Sequence, residues 1–340
     1  MSDGIIAKGT VKESADSASF CRKSFLGSRG IRSGWRLAIF LLILAGSVFG
    51  VFAIGILRIP AAARIFGQGF LSPSLEYLTE IPTAICLLVC SLVMARIEKR
   101  GVGDYGLSLR RGASKHFFWG LLWGLSVFSG VIVLIATLHG FSFGGLALHG
   151  LALLKYASLW AIGFLLVGFV EEFLYRGYVQ FTLAQAIGFW PAAVVWSLTF
   201  GAVHLLNPGE NLPGALEVVL FATFACLTLR RTGTLWFAIG FHAAGDYAET
   251  FLFSVRDSGY AASGTLLNSS VHGPGWLTGG KVGPEASVIS ILVLSVAMFC
   301  FHVFYPRASS PGVGTTGLRV PVHSGCDEFD APETSHEVGE

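Results

Sequence analysis

Charged side chains are scarce in this sequence. They make up 13% of its 340 residues, whereas hydrophobic residues make up 53% and the mean hydropathy is +0.66. About a quarter of the residues of a soluble domain are charged, and a disordered chain is low in hydrophobic residues. Both classes are therefore excluded, and the composition predicts an all-α, polytopic transmembrane helix bundle.

Other signals are missing as well. The six cysteines are scattered, and four of them lie in apolar runs, so they form neither a disulfide framework nor a cysteine metal site. H-E-x-x-H is absent, which leaves the zincin mechanism without support. No basic patch interleaved with aromatic residues points to nucleic acid, and no internal repeat of fixed period is present. The sequence therefore predicts that the protein is embedded in a lipid bilayer and does not bind nucleic acid.

About eight stretches are long and apolar enough to be membrane spans, for which about 20 residues are needed. They are residues 37–57, 81–95, 117–138, 151–170 with its continuation, 191–206, 215–229, 235–253 and 287–305. Basic residues crowd the N-terminus and the loops after the second and sixth spans, and basic loops mark the cytoplasmic side. Eight spans then place both termini in the cytoplasm.

The same pattern divides the chain into six segments. A polar basic N-terminal segment is followed by N-terminal transmembrane helices with a basic cytoplasmic loop, a core, an extracytoplasmic loop, a last transmembrane helix and a disordered acidic tail. The segments are residues 1–33, 34–156, 157–253, 254–286, 287–305 and 306–340.

Within the core, ionisable residues interrupt three apolar runs. An ionisable group at membrane depth costs about 2.5–3.5 kcal/mol on insertion scales, so such groups need partners or a task. Three patterns contain them: Glu171-Glu172-x-x-x-Arg176, Phe200-x-x-x-His204 and His242-x-x-x-Asp246. Residues four apart share a helical face, so the two residues four apart in each pattern lie on the same side of their helix.

The adjacent acids of the first pattern point in different directions, because neighbours on a helix are about 100° apart. Glu172 is predicted to pair with Arg176, and Glu171 to face a cavity. Glu171 and His204 are each about sixteen residues, or about 25 Å, from a predicted hairpin turn near Gly188. The next turn, near Arg231–Gly233, brings His242 and Asp246 to roughly the same level.

This set of residues permits several chemistries. A carboxylate and a histidine can deprotonate a water molecule, and a second histidine with a polar neighbour can bind an oxyanion. Two histidines with carboxylates also suit a Zn²⁺ site formed by Glu171, His204, His242 and Asp246. Spacing leaves the zinc and the metal-free mechanisms equally open.

In this order, the three patterns resemble the signature of the CPBP intramembrane proteases, which include the type II CAAX prenyl endopeptidases and the bacteriocin-processing or self-immunity (Abi) proteins. The resemblance covers roughly residues 157–253, the expected catalytic core. It implies a membrane endopeptidase, a metalloprotease or a glutamate protease, that cuts a membrane-associated and in some members prenylated CAAX-like substrate. A bacterial inner membrane is the expected location.

The resemblance also implies roles for single residues. Glu171 would activate water with the help of His204, while His242 and Asp246 would stabilise the oxyanion. Glu172, Arg176 and Phe200 would support the site, so Glu172→Gln is expected mainly to lower thermal stability. The last position is often Asn in the family, and an ionised Asp246 cannot donate to an oxyanion. Asp246 is therefore protonated, orients His242 or binds a metal.

Two interpretations from other classes remain. Glu and His inside a helical bundle also form proton relays, so a proton-coupled transporter is the first alternative. A non-catalytic immunity or binding scaffold is the second.

Overall fold

The computed structural model describes residues 26–27, 30–58, 70–109 and 112–305. The predicted acidic tail and nearly all of the predicted N-terminal segment lie outside the described residues. The α-helices of the described part are α1 Ser33–Arg58, α2 Pro73–Ile97, α3 Ala113–Thr137, α4 Gly150–Arg176, α5 Tyr178–Ile187, α6 Phe189–His204, α7 Leu212–Thr232, α8 Trp236–Asp246, α9 Gly275–Thr278 and α10 Val288–Phe304. A π-helical turn, Tyr247–Leu252, continues α8, and 3₁₀ turns cover Val102–Tyr105 and Pro284–Ala286.

Each of the eight predicted spans is helical, which confirms the all-α class. Among the described residues, five helical stretches are long and apolar enough to cross a membrane: Ser33–Ala53, Pro73–Ile97, Ala113–Thr137, Gly150–Ile187 and Leu212–Thr232. Helix α10 is apolar but shorter. A helix suits the hydrocarbon core because it satisfies its own backbone hydrogen bonds.

Helix ends lie where local chemistry sets them. Ser72 and Asn211 cap α2 and α7 by accepting hydrogen bonds from Leu75 N and Gly214 N, and a proline follows in the first turn of each helix. Gly188, at φ +91°, separates α5 from α6, and Gly233, at φ +73°, ends α7. Both predicted hairpin turns are therefore found.

Helix α8 lies in the middle of the bundle, between α3 and α4. A Cβ atom on Gly124 of α3 would lie 2.2 Å from the carbonyl oxygen of Phe241, so only glycine permits this approach. On the other side, a Cβ atom on Gly168 of α4 would lie 3.4 Å from Cβ of His242. Small residues allow such close helix packing in membranes, and here they fix the position of α8.

The predicted outer loop, residues 254–286, folds onto one end of the bundle. It contains β5 (Ala261–Ala262) and β6 (Ser270–Val271), which pair with β3 (Phe70–Leu71) and β4 (Phe141–Ser142); β1 (Leu26–Gly27) and β2 (Gly30–Ile31) form a separate pair. The indole of Trp160 in α4 donates to the carbonyl oxygens of Ser263 and Gly264 at 3.2 and 3.1 Å. Strands of two residues are too short to leave a periodic pattern in the sequence, so none was expected there.

Candidate active site

The four residues predicted to be catalytic line one cavity of about 310 Å³. Glu171 comes from α4, His204 from the end of α6, and His242 and Asp246 from α8. The chain is interrupted at Gly177, so the short helix α5 lies between α4 and the turn at Gly188. The four side chains still reach one cavity, as the prediction of a common level requires.

The adjacent acids are divided as the helical geometry predicts. The side chains of Glu172 and Arg176 are fully buried, with Glu172 Oε1 3.3 Å from Arg176 Nη1. The side chain of Glu171 is 30% exposed and lies in the cavity wall. Phe200 lies beside this pair, with its ring centroid 4.6 Å from the guanidinium carbon of Arg176. The ion pair and the ring therefore form a buried support behind the cavity.

His242 joins the two acids, which the sequence does not predict. Its Nδ1 lies 3.0 Å from Glu172 Oε1, while Nε2 lies 3.6 Å from Glu171 Oε2 and 3.6 Å from Asp246 Oδ2. A carboxylate accepts a hydrogen bond, so Nδ1 carries a proton and Nε2 is turned to the two acids of the cavity. Glu172 therefore contacts two side chains: Arg176, as predicted, and His242, which is predicted to be catalytic.

His204 is oriented by its own helix. Its Nδ1 lies 2.8 Å from the carbonyl oxygen of Phe200, which can only accept, so Nδ1 carries the proton. Nε2 is then the nitrogen with an available lone pair, as a general base or a metal ligand requires. The ring of Phe200 lies against His204, with centroids 4.4 Å apart, and holds the imidazole from the side.

Further acids line the cavity that were not among the predicted site residues. Glu76 and Glu80 face it from α2, and Asp257 faces it from the segment after the π-helical turn. The predicted second span begins at residue 81, whereas α2 begins at Pro73, so these two glutamates precede the predicted span although they belong to the helix. Their spacing of four residues was the available signal. Burial raises the pKa of Asp257, outside the spans, to about 6.

Only some of the predicted zinc ligands lie at distances close to those of ligands that share one zinc ion. Two zinc ligands at about 2.0–2.1 Å in tetrahedral geometry lie about 3.3 Å apart, and the distances of 3.6 Å from His242 Nε2 to Glu171 and to Asp246 come close to this value. His204 lines the same cavity. These donors are of the kinds that Zn²⁺ accepts. Within the part of the chain that the structure describes, however, the three ligand atoms that lie within 4.8 Å of one another belong to Glu249, Asp257 and Glu285.

A G-x-S-x-G pattern is present at residues 140–144. In α/β-hydrolases this motif forms a sharp strand-to-helix turn that presents the serine. Here Ser142 is exposed, lies in the two-residue strand β4 and pairs with Ser270. The pattern is therefore part of a loop pairing and does not form a nucleophile elbow.

The fold and the cavity define the class: an integral membrane protein of packed helices with a cavity lined by carboxylates and histidines. Residues 153–248 match the family model of the type II CAAX prenyl endopeptidase Rce1-like proteins. This stretch is thus an Rce1-like domain, and it includes all three motifs, so the family resemblance is confirmed. At the level of the family, the match supports a CAAX-type intramembrane protease, a hydrolase that acts on membrane-associated peptides. No curated protein matches the chain.

Proposed function

We propose that this protein is an intramembrane endopeptidase that hydrolyses a peptide bond of a membrane-associated substrate, with water activated by Glu171 and His204. The observation that carries the proposal is the common cavity. The four side chains predicted to be catalytic line it from three helices, and all four lie within the Rce1-like stretch. Holding them there without a task would be unfavourable.

Glu171 is the general base in this mechanism. It takes a proton from a water molecule in the cavity while Nε2 of His204 accepts the second hydrogen of that water and orients it. The hydroxide adds to the carbonyl carbon of the peptide bond and forms a tetrahedral intermediate. When the C–N bond breaks, the proton held by Glu171 passes to the leaving amine, which regenerates the carboxylate.

His242 is proposed to stabilise the oxyanion. With a proton on each nitrogen, it donates from Nδ1 to Glu172 at 3.0 Å and presents Nε2–H beside Glu171 and Asp246. A cation placed where negative charge develops lowers the barrier. Asp246, 3.6 Å from Nε2, acts on the oxyanion through His242, which explains how an aspartate serves where the family often has asparagine.

The same donors would hold a Zn²⁺ ion at Glu171, His204, His242 and Asp246, and a bound ion would supply an activated water at neutral pH. Metal analysis of the purified protein, combined with a chelator assay, distinguishes the two mechanisms. About one zinc per chain together with chelator-sensitive turnover supports the metal. Full turnover after the metal has been removed supports the glutamate mechanism.

For the substrate we propose the segment near the C-terminus of a membrane-associated protein, prenylated and CAAX-like. The family match supports this class, because the matching model is that of CAAX prenyl endopeptidases. For the location we propose a bacterial inner membrane. The basic loops support an orientation with both termini in the cytoplasm.

The test compares Glu171→Gln and His204→Ala with the wild type, in detergent, on a prenylated peptide and its unprenylated counterpart. Both variants are expected to lose turnover while retaining thermal stability. Asp104→Asn is the matched control, because it is the same acid-to-amide change on an exposed residue outside the cavity. Wild-type turnover in either variant would refute the catalytic assignment. Proton-dependent flux in liposomes without any cleavage would favour the transporter instead.

A further inference from the structure

Three buried carboxylates from separate parts of the chain converge next to the active-site cavity. Glu249 belongs to the π-helical turn after α8, Asp257 to the following segment, and Glu285 to the 3₁₀ turn before α10. Their residues are 1%, 8% and 7% exposed, and one oxygen of each lies within 4.8 Å of the others. Residues 249 and 285 are far apart in the chain, so the fold itself gathers this acid triad.

One carboxylate oxygen of Glu249, Oε1, is buried without a hydrogen-bond partner among the described residues. Buried polar atoms normally have such a partner. Glu249 and Glu285 also line a small cavity of about 30 Å³, which is room for one ion or water molecule and which His204, His242 and Asp246 border from the side of the active site. Asp257 lines the larger active-site cavity instead. The unsatisfied glutamate thus belongs to a space that a ligand of atomic size can fill.

The other two acids are partly satisfied by neutral donors. Asp257 Oδ2 accepts from the Thr250 hydroxyl at 3.0 Å, and Glu285 Oε1 accepts from the backbone N–H of Ser258. Among the described residues, the three carboxylates have no lysine or arginine partner.

The chemistry of the triad selects the kind of ion. All three ligands are carboxylates, which hard cations prefer, and Ca²⁺ binds oxygen atoms at about 2.3–2.6 Å. Two oxygens on opposite sides of such an ion are about 4.8 Å apart, so the separations in the triad are compatible with one shared ion. The triad itself contains no histidine or cysteine, although His204 and His242 border the same small cavity.

We propose that Glu249, Asp257 and Glu285 bind a hard divalent cation of the Ca²⁺ class. The ion fastens the segment that follows the π-helical turn to the start of α10. Asp257 and Ser258 of that segment also line the active-site cavity, so the ion holds one wall of the cavity in place. The site does not depend on the peptidase assignment.

The test uses the full-length protein in detergent after treatment with a chelator. Ca²⁺, Mg²⁺ and Zn²⁺ are added separately while the midpoint of thermal unfolding is followed, and bound Ca²⁺ is measured by equilibrium dialysis. We expect Ca²⁺ to raise the midpoint saturably, because an ion that binds only the folded state stabilises it. Binding should saturate at about one ion per chain, as one shared ion requires.

Variants assign the effect to the triad. Glu249→Gln and Asp257→Asn are expected to lose both the Ca²⁺-dependent shift and the bound ion, while Glu210→Gln, a nearby half-buried acid outside the triad, keeps both. Size-exclusion profiles identify any variant that does not fold, and the other triad variant then decides. An absent Ca²⁺ shift in the wild type overturns the proposal, since the triad then shares protons instead. It is equally overturned if Glu249→Gln binds Ca²⁺ like the wild type, or if only Zn²⁺ binds and His242→Ala abolishes that binding.

Discussion

Replacing Glu172 by glutamine is expected to weaken the fold and the active site together. The carboxylate is fully buried and lies 3.3 Å from Arg176 Nη1 and 3.0 Å from His242 Nδ1. Among the described residues it is the one acid within 4.0 Å of Arg176. The substitution leaves the buried guanidinium without a counter-charge, although the amide oxygen can still accept hydrogen bonds.

The size of the effect follows from the burial. Removing one member of a buried ion pair costs about 3–5 kcal/mol of unfolding free energy, and the remaining amide oxygen places Glu172→Gln near the lower end. Arg176→Met should cost less, about 1.5–3 kcal/mol, because Glu172 keeps its hydrogen bond with His242. Methionine also retains contact with the ring of Phe200, which lies 4.6 Å from the guanidinium carbon.

The critical comparison is between Glu172→Gln alone and the double variant that combines it with Arg176→Met. With both charges removed, the site contains no unpaired buried ion, so the double variant should be more stable than Glu172→Gln alone. The coupling free energy between the two positions is expected to be about 2–3 kcal/mol. Unfolding in mixed detergent and SDS micelles, followed by circular dichroism, measures all four corners of this cycle.

Activity distinguishes the two roles of Glu172. Loss of a residue that orients a functional histidine typically costs 10–100-fold, so Glu172→Gln should lower kcat by about this factor with KM little changed, and Arg176→Met by less. Additive stability losses in the cycle would refute the buried ion pair. A Glu172→Gln variant with normal kcat would refute its action through His242 and restore the purely structural role that the sequence predicts.

Two further substitutions test the packing. Gly124→Ala should lower both the unfolding midpoint and turnover, because its Cβ atom would meet the Phe241 carbonyl oxygen at 2.2 Å and displace α8. Gly130→Ala on the same helix is the control, because its Cβ atom meets nothing within 4 Å and should change neither quantity. Equal stability of the two variants would contradict the close helix contact. Tyr178→Phe removes a hydrogen bond of 2.6 Å to Glu98 and should cost about 1.5–3 kcal/mol of unfolding free energy. Turnover per folded molecule should stay unchanged, and both quantities are measured in detergent. Unchanged stability would show that this hydrogen bond does not contribute.

Much of the site could be predicted because its geometry is local. Glu172 and Arg176 share a helical face whatever surrounds them, and so do His242 and Asp246. The rise per residue and a turn at Gly188 predicted a common level for Glu171 and His204, and both line one cavity although the helix is interrupted at Gly177. These relations hold for any helix of this sequence, and the structure reproduces them.

Other parts of the site depend on contacts between distant segments. Glu76 and Asp257 line the same cavity as Glu171 because α2 and the segment after the π-helical turn pack around that cavity. No periodicity links those positions. The contact between His242 and Glu172 likewise arises because Gly168 lets α4 and α8 approach closely.

The sequence by itself determined that this protein consists of apolar helices and that three of them carry the ionisable residues of the three motifs. The bilayer sets the length of a span, and the helical repeat sets which side chains share a face. Only the tertiary structure decided that His242 connects both glutamates and that residues 254–286 cover the end of the bundle. It also gathered the triad of Glu249, Asp257 and Glu285. Such arrangements depend on how helices and loops far apart in the chain pack together, which local patterns do not encode.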